Sequence, residues 1–256
     1  MMDKEKKAPE EMPKPGGPGD MPDDMADFFS KPPEVPKMSQ EEMSLQFDRV
    51  SAAIACENLA DEISYLYTAN KMVQLAGLFA ERDDTKILMP YGVYTGKDAA
   101  KRCFVDDLVD MDDPDPARAE ELKGRMVIND FCSPVVEVAG DCKTARGVWV
   151  SPGLEAHPNA DRSNAQGYWS WCRFAADFIL EDGKWKLWHL CKYMYFASEY
   201  EKNWAESPKF IFTPAHLSAD APAPEQYYYS VDAVFPDSEP EPPLPYATWD
   251  EVAPGY

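Results

Sequence analysis

The chain has 256 residues, 45% of them hydrophobic, which is enough for one sizeable domain or two small ones. Its formal net charge of −21 repels phosphate backbones and anionic lipid, so binding to nucleic acid or to a membrane surface is disfavoured. No apolar run approaches the length of about 18 residues that a transmembrane helix needs. We therefore expect an acidic protein that binds a neutral or hydrophobic small molecule.

The six cysteines are widely spread and include no CxxC pair. This spacing argues against a zinc site and against a dense disulfide framework. Free cysteine is commonly a core residue, so buried thiols in a reducing compartment are expected. The N-terminus carries charges and prolines where a signal peptide needs an apolar run. These features together predict a cytoplasmic protein.

The N-terminal half reads as an arm followed by helices. Residues 1–38 are rich in Pro, Gly and charge and are predicted to form a disordered or extended arm. A capping box, with Ser39 as N-cap and Glu42 three residues later, begins a long amphipathic helix. That helix is either continuous or broken in two near Cys56. A second helix is predicted over roughly 71–80, then a short strand in TKILMPYGVYTG, then a helix in KDAAKRCFVDDLVDM.

From residue 125 the hydrophobic period changes from helical to alternating, which indicates strands. Turn signals at Gly140-Asp141 and at Glu181-Asp182-Gly183 predict two hairpins. Helices followed by a meander of antiparallel strands predict an α+β domain over residues 39–204, with the helices on one face of a curved sheet. The last segment, 205–256, combines proline with many aromatic residues. We expect an extended arm across a surface, with a neighbouring subunit as one candidate and a flexible tail as the alternative.

Several segments, taken in order, carry a family resemblance: LAGLFAERDD, YGVYTGKDAAKRCF, SPVVEVAGDCKTARGVWVSPG and RFAADFILEDGKWKLWHL. Over about residues 45–200 the chain resembles the SnoaL-like (polyketide cyclase-like) branch of the nuclear-transport-factor-2-like superfamily, near its diarylpropane formaldehyde lyases. The resemblance implies a cone-shaped barrel, made of a strongly bent antiparallel sheet and closed by N-terminal helices. It also implies an apolar pocket and activity without metal or organic cofactor. Some members have no catalytic activity, so the fold does not settle the function.

His189 is the first candidate catalytic residue. On a regular strand it shares a face with Leu187 and Tyr193, and the resemblance implies that this face points into the pocket. Burial would keep the imidazole neutral, so it could act as a base or as a hydrogen-bond donor. The alternative is a core histidine tied to a backbone carbonyl.

Asp130 and Tyr65 complete the predicted catalytic set. Related proteins often have a histidine where this chain has Asn129-Asp130, and Asp130 in an apolar pocket could replace that base. Asn129 is predicted to bind substrate, although strand parity alone does not decide which of the two neighbours faces the pocket. Tyr65 or Tyr67 could donate a hydrogen bond to an oxyanion, and only one of them can do so, because residues two apart on a helix point in different directions.

Aromatic side chains are predicted to form the pocket walls, because flat rings suit a flat aromatic ligand. Arg146 either clamps a ligand carboxylate or phenolate, or pairs with a surface acid. The candidate substrate-binding residues are thus Tyr67, Asn129, Tyr91, Trp149, Trp171, Arg146 and Tyr193.

The sequence lacks a dinucleotide fingerprint, a phosphate loop, an HExxH motif and a GxSxG elbow. No cofactor and no metal are therefore expected. The leading hypothesis is a cofactor-independent lyase, dehydratase or isomerase acting on a hydrophobic, aromatic, hydroxylated molecule by elimination or retro-aldol chemistry. The alternative is a non-catalytic small-molecule-binding or assembly module of the same fold. A homo-oligomer, either dimer or trimer, is expected, with the C-terminal arm contacting a neighbour.

Overall fold

A computed structural model describes residues 37–206, 209, 212–225, 228–232, 234 and 240–251. The arm predicted over residues 1–38 lies outside these residues, apart from its last two. The chain divides into two compact units, residues 1–43 and residues 44–256. The second unit contains the whole sheet.

The first long helix, α1, spans Gln40–Thr68 without interruption, so the option of a break near Cys56 is wrong. Its capping box is confirmed, because the Glu42 carboxylate accepts from the Ser39 amide at 2.7 Å and the Ser39 hydroxyl accepts from the Glu42 amide at 3.2 Å. Helix α2 is shorter than predicted and spans Met72–Ala76. The next helical segment is a π-helix over Lys101–Asp106. Helix α3 spans Pro116–Glu121, and a short 3-10 helix spans Trp249–Glu251.

Seven strands form one sheet in the order β2-β1-β7-β6-β5-β3, and β4 pairs with β5 beside β3. Their bounds are β1 Lys86–Met89, β2 Gly92–Thr95, β3 Met126–Asn129, β4 Cys132–Val138, β5 Thr144–Pro158, β6 Ala165–Glu181 and β7 Lys184–Glu199. The predicted α+β class and the hairpins β4–β5 and β6–β7 are confirmed.

Two details of the predicted sheet are wrong. The sheet is strongly curved, but among the described strands its edges β2 and β3 do not pair, so it is open rather than a closed barrel. Strands β1 and β7 also pair in parallel, with Ile87 opposite Leu190. A short hairpin forces the two strands that it joins to be antiparallel. Strands β1 and β7 are far apart in the chain and no hairpin joins them, so they can pair in parallel.

The two faces of the sheet differ in what they bury. The inner face packs against α1 through a large cluster that includes Cys56, Ile63 and Phe178. The outer face carries a smaller cluster formed by Leu88, Val148, Ala175 and Cys191. Side chains alternate between these faces along each strand, so the inner face is where a cavity between sheet and helix can form.

The C-terminal segment contacts the sheet of its own chain. The Val93 amide at the β2 edge donates to the Ala221 carbonyl at 2.9 Å, which covers that edge. Further on, the Gly140 amide donates to the Tyr246 carbonyl at 2.9 Å, and Trp249 packs against Trp188 with ring centroids 4.6 Å apart. A contact with a neighbouring subunit stays a prediction.

All six cysteines are free, and four of them are buried, as expected. Cys132 is exposed and Cys142 is half-buried, which differs from the prediction: Cys132 is the first residue of β4, and Cys142 lies in the turn between β4 and β5.

Within the described ranges, no helix has both the length and the apolar character needed to cross a bilayer.

Candidate functional site

A cavity with two adjoining compartments lies between α1 and the inner face of the sheet. The larger compartment holds about 560 Å³ of empty space and the smaller about 310 Å³, part of it open to solvent. Both are lined by Tyr67, Met89 and Lys192, which places these three side chains at the junction. Most of this space is continuous with solvent, so the enclosed part of each compartment is small.

Lys192 supplies a buried positive charge at this junction. Lys192 is only 8% exposed, and its ammonium group donates a hydrogen bond to Asn129 Oδ1 at 2.9 Å. The nitrogen also lies 5.5 Å from the centre of the Phe174 ring, which is a cation–π distance. Buried ammonium groups are costly unless paired, so a lysine held here by an amide oxygen and a ring points to a functional role.

Glu155 supplies the carboxylate of the larger compartment. Burial by itself would raise the pKa of Glu155, but the hydrogen bond from His157 and the positive charges of Lys192 and Arg125 outweigh it, so the pKa lies below its usual range. His157 Nε2 lies 2.8 Å from Glu155 Oε2, and the imidazole stacks on Phe212. The cavity therefore contains an ionised carboxylate facing a compensating positive field.

Two phenols face the cavity. Tyr67 lines both compartments and Tyr91 lines the larger one. Burial raises the pKa of both hydroxyl groups, so both are protonated near neutral pH and can donate hydrogen bonds. Tyr65, by contrast, is 78% exposed. Of the two candidate tyrosines of α1, Tyr67 therefore faces the cavity, and the predicted place of Tyr65 in the pocket is wrong.

Asn129 and Asp130 are separated by the end of β3. Asn129 is buried, lines the smaller compartment and accepts from Lys192. Asp130 is exposed and accepts a 3.4 Å hydrogen bond from the hydroxyl of Ser64, a residue that lines the smaller compartment. The strand ends at Asn129, so Asp130 leaves the sheet and its predicted place inside the pocket is wrong.

His189 lies on the outer face and not in the cavity. Its Nδ1 is 2.8 Å from Asp177 Oδ2, and its Nε2 is 3.0 Å from the Asp84 carbonyl oxygen. The ring stacks on Trp188, with centroids 4.5 Å apart. Both ring nitrogens face oxygen atoms of the protein, so His189 acts in packing and pairing rather than on a cavity ligand.

A β-bulge explains why the inward placement of His189 is wrong. Asp177 pairs with His189 and Phe178 pairs with Leu187, which leaves Trp188 as an extra residue in β7. Alternation holds as far as Leu187, which packs in the inner cluster. After the bulge the phase shifts by one residue, and Lys192 faces the cavity instead.

Four other predicted pocket residues lie elsewhere. Arg146 is on the outer face, where its Nε is 3.1 Å from Asp177 Oδ1, so the acid-pairing alternative is the one observed. Tyr193 packs against the outer cluster, and Trp171 is 42% exposed. Trp149 is 1% exposed and packs edge-on to Phe131 in the core. Tyr67, Tyr91 and Asn129 are thus the candidate residues that the fold brings to the cavity.

Sequence reasoning missed the charged residues of the cavity, namely Lys192, Glu155 and Arg125. A lysine in a strand is usually solvent-exposed, and only the bulge turns this one inward. Glu155 and His157 carried an available signal, because residues two apart on a strand share a face and can pair. Among the described residues, no group of three or more His, Cys, Asp or Glu side chains could hold a metal ion.

No family model matches this sequence. No curated protein matches it either.

Solved structures do match, with high probability and modest overlap. One is a candidate scytalone dehydratase from Novosphingobium aromaticivorans (18% identity, TM-score 0.42), covering 60% of this chain and 91% of that chain. A second is the hexachlorocyclohexane dehydrochlorinase LinA-type3 from Novosphingobium barchaimii (15% identity, TM-score 0.45), covering 65% and 99%. A third is an NTF2-like protein with a cystatin-like fold from Novosphingobium aromaticivorans (10% identity, TM-score 0.46), covering 62% and 92%.

The superfamily resemblance found in the sequence stays a prediction. The nearer resemblance to diarylpropane formaldehyde lyases stays a prediction. Similarity of this extent carries no activity over to this chain.

Proposed function

We propose that the chain is a cofactor-independent acid–base lyase acting on a hydrophobic, aromatic, hydroxylated small molecule held in the inner-face cavity. The observation that carries this proposal is that a buried ammonium, Lys192, and a protonated phenol, Tyr67, line both compartments of the cavity. A positive charge and a hydrogen-bond donor that face the same space stabilise an oxygen that gains negative charge in the transition state.

The reaction we assign to the site is an elimination. Glu155 takes a proton from the carbon next to the hydroxyl-bearing carbon, the C–H electron pair forms the new double bond, and the C–O bond breaks. The hydroxyl group leaves as water with a proton from Tyr67, and the cycle closes when Glu155 releases its proton to solvent and the Tyr67 phenolate takes a proton back. Each acid or base group of this kind contributes about 10²–10⁴-fold to the rate. Dehydration, isomerisation and retro-aldol cleavage share the same first requirement, a base facing a stabilised oxyanion.

The roles differ from those expected from the sequence. Glu155 takes the place of His189 and Asp130 as base, because it lines the cavity and they do not. Tyr67 takes the place of Tyr65 for the same reason.

The experiment is a turnover screen of phenolic dimers, steroids and polyketide-like alcohols against the purified protein. The substrate found is then tested on Glu155→Gln and Tyr67→Phe. Each variant should lose at least 10²-fold in kcat. Asp130→Asn is the matched control, since it makes the same kind of change just outside the cavity, and it should stay within threefold of the unaltered protein. Equal losses in Glu155→Gln and Asp130→Asn would overturn the assignment.

The second candidate function is non-catalytic binding of the same class of ligand. It is favoured by one observation, that Glu155 is already paired with His157 and Lys192 with Asn129, as in a site built to stay fixed. It predicts ligand binding without product from any compound in the screen. Glu155→Gln would then change affinity alone.

We also propose self-association through α1. Phe47, Val50, Ile54 and Tyr65 are each more than half exposed, and they lie along one stripe of the helix, opposite the side that packs on the sheet. An exposed apolar stripe of this kind marks an interaction surface. Light scattering of Phe47→Glu tests the proposal: a fall from dimer or trimer to monomer supports it, and an unchanged mass refutes it.

A further inference from the structure

The larger compartment of the cavity contains several buried donors that lack a partner. Arg125 Nε, Trp169 Nε1 and Ser170 Oγ are each buried without a hydrogen-bond partner in the described part of the chain, and all three residues line this compartment. Ser170 as a whole is only 5% exposed. Most buried polar atoms in proteins are satisfied, so three such atoms around one space call for a ligand that accepts hydrogen bonds.

The charges around this compartment are also unbalanced. Lys192 and Arg125 contribute two positive charges, and Glu155 contributes one negative charge. His157 faces Glu155 and the Tyr67 hydroxyl is protonated, so neither adds a negative charge. The formal charges of the described lining residues thus sum to one positive charge, in a chain whose formal net charge is −21, and an anionic acceptor suits such a lining.

The two compartments differ in chemistry. The smaller one is lined mainly by apolar and aromatic side chains, with Phe131 and Phe174 in tilted contact at 4.5 Å between ring centroids. The larger one holds the guanidinium group of Arg125 over the Phe212 ring at 4.8 Å, which fixes its plane beside the cavity. A planar guanidinium with a free N–H is the group best suited to a carboxylate.

We infer that the ligand of this cavity is an aromatic carboxylic acid, bound with its carboxylate among Arg125, Trp169 and Ser170. This inference rests on the proposed function only in using the same cavity, and it names the substrate class. The carboxylate fills the donors that the protein leaves open, while the reacting carbon lies near Tyr67 and Lys192.

The test is a comparison of two probes of equal size, 3-phenylpropanoate and 3-phenylpropan-1-ol, by calorimetry at pH 7. The carboxylate should bind the unaltered protein at least tenfold more tightly than the alcohol. In Arg125→Gln that preference should fall to twofold or less, while the affinity for the alcohol stays unchanged. Ser170→Ala removes a single hydroxyl group and should lower the preference for the carboxylate about threefold. It replaces Arg125→Gln as the test if Arg125→Gln does not fold.

The matched control is Arg173→Gln. Arg173 also lies over an aromatic ring, Tyr195 at 5.2 Å, but it pairs in the sheet with residues of the outer face and does not line the cavity. It should keep the full preference for the carboxylate. Equal binding of the two probes, or a preference that survives in both Arg125→Gln and Ser170→Ala, would overturn the inference.

These outcomes are separate from those of the proposed function. If carboxylate binding follows the prediction but no compound is turned over, the lyase proposal fails and the ligand class stands. If neutral alcohols are turned over and the carboxylate is not preferred, the ligand class fails and the lyase proposal stands.

Discussion

Gly153 offers a test of the cavity geometry that needs no substrate. It lies in β5 between Asn129 on β3 and Ser170 on β6. A Cβ atom added at Gly153 would meet Ser170 Oγ far inside contact distance, and Asn129 Oδ1 at 2.9 Å. Asn129 is the acceptor of the Lys192 ammonium, so Gly153→Ala pushes directly on the site.

The size of the effect follows from these contacts. Overpacking a filled site costs about 1–3 kcal/mol. Replacing glycine by alanine at a compatible backbone position stabilises the protein by about 0.4–1 kcal/mol, because the unfolded chain loses conformational entropy. The net destabilisation is therefore at most about 2.6 kcal/mol, which for a domain of this size lowers Tm by up to roughly 10 °C.

The control is Gly167→Ala on β6, where the added Cβ would have Tyr200 Cβ at 3.6 Å, an ordinary van der Waals distance. Calorimetry should show Tm unchanged or raised for Gly167→Ala and lowered for Gly153→Ala. In the double variant Gly153→Ala/Ser170→Ala, removal of the hydroxyl should recover part of the loss. If the two single variants melt alike, the register that places Gly153 between Asn129 and Ser170 is wrong, and the site built on it fails.

Three further predictions concern single residues. The hydrogen bond from Arg102 lowers the pKa of Asp220 to about 2. The ionised carboxylate therefore stabilises the fold above its unfolded pKa of about 3.9, and this contribution is lost as the pH falls toward 2. Acid unfolding followed by tryptophan fluorescence should show that Asp220→Asn lacks this part of the transition. Tyr67→Phe should lower kcat by at least 10²-fold. Tyr65 lies on the exposed side of α1, so Tyr65→Phe should leave kcat and Tm unchanged. A larger loss of kcat in Tyr65→Phe than in Tyr67→Phe would refute the placement of the two tyrosines. His189→Ala should lower the free energy of unfolding by about 1–3 kcal/mol, because the buried Asp177 loses a hydrogen-bond partner. Turnover should stay within threefold of the unaltered protein. A loss of turnover without a loss of stability would show that His189 acts in catalysis.

The sequence predicted what depends on local chemistry and on regular periodicity. The Ser39–Glu42 capping box fixed the start of α1, because both partners lie within one helical turn. Alternation and turn residues gave the hairpins β4–β5 and β6–β7. The buried phenol and amide of the cavity, Tyr67 and Asn129, were both among the candidates, although each competed with a neighbour.

Strand ends and bulges were beyond the sequence. The end of β3 after Asn129 sends Asp130 out of the sheet, and hydrophobic patterning locates such an end only to within a few residues. The extra residue Trp188 reverses the alternation of β7 and exchanges His189 for Lys192 at the cavity.

The sequence by itself therefore determined the class of the fold, the succession of helices followed by long strands, and the aromatic character of its interior. The tertiary structure alone decided which charges enter the cavity. The physical reason is that a one-residue shift of a strand moves every later side chain to the opposite face, while the free energy that fixes the shift comes from packing across the whole sheet.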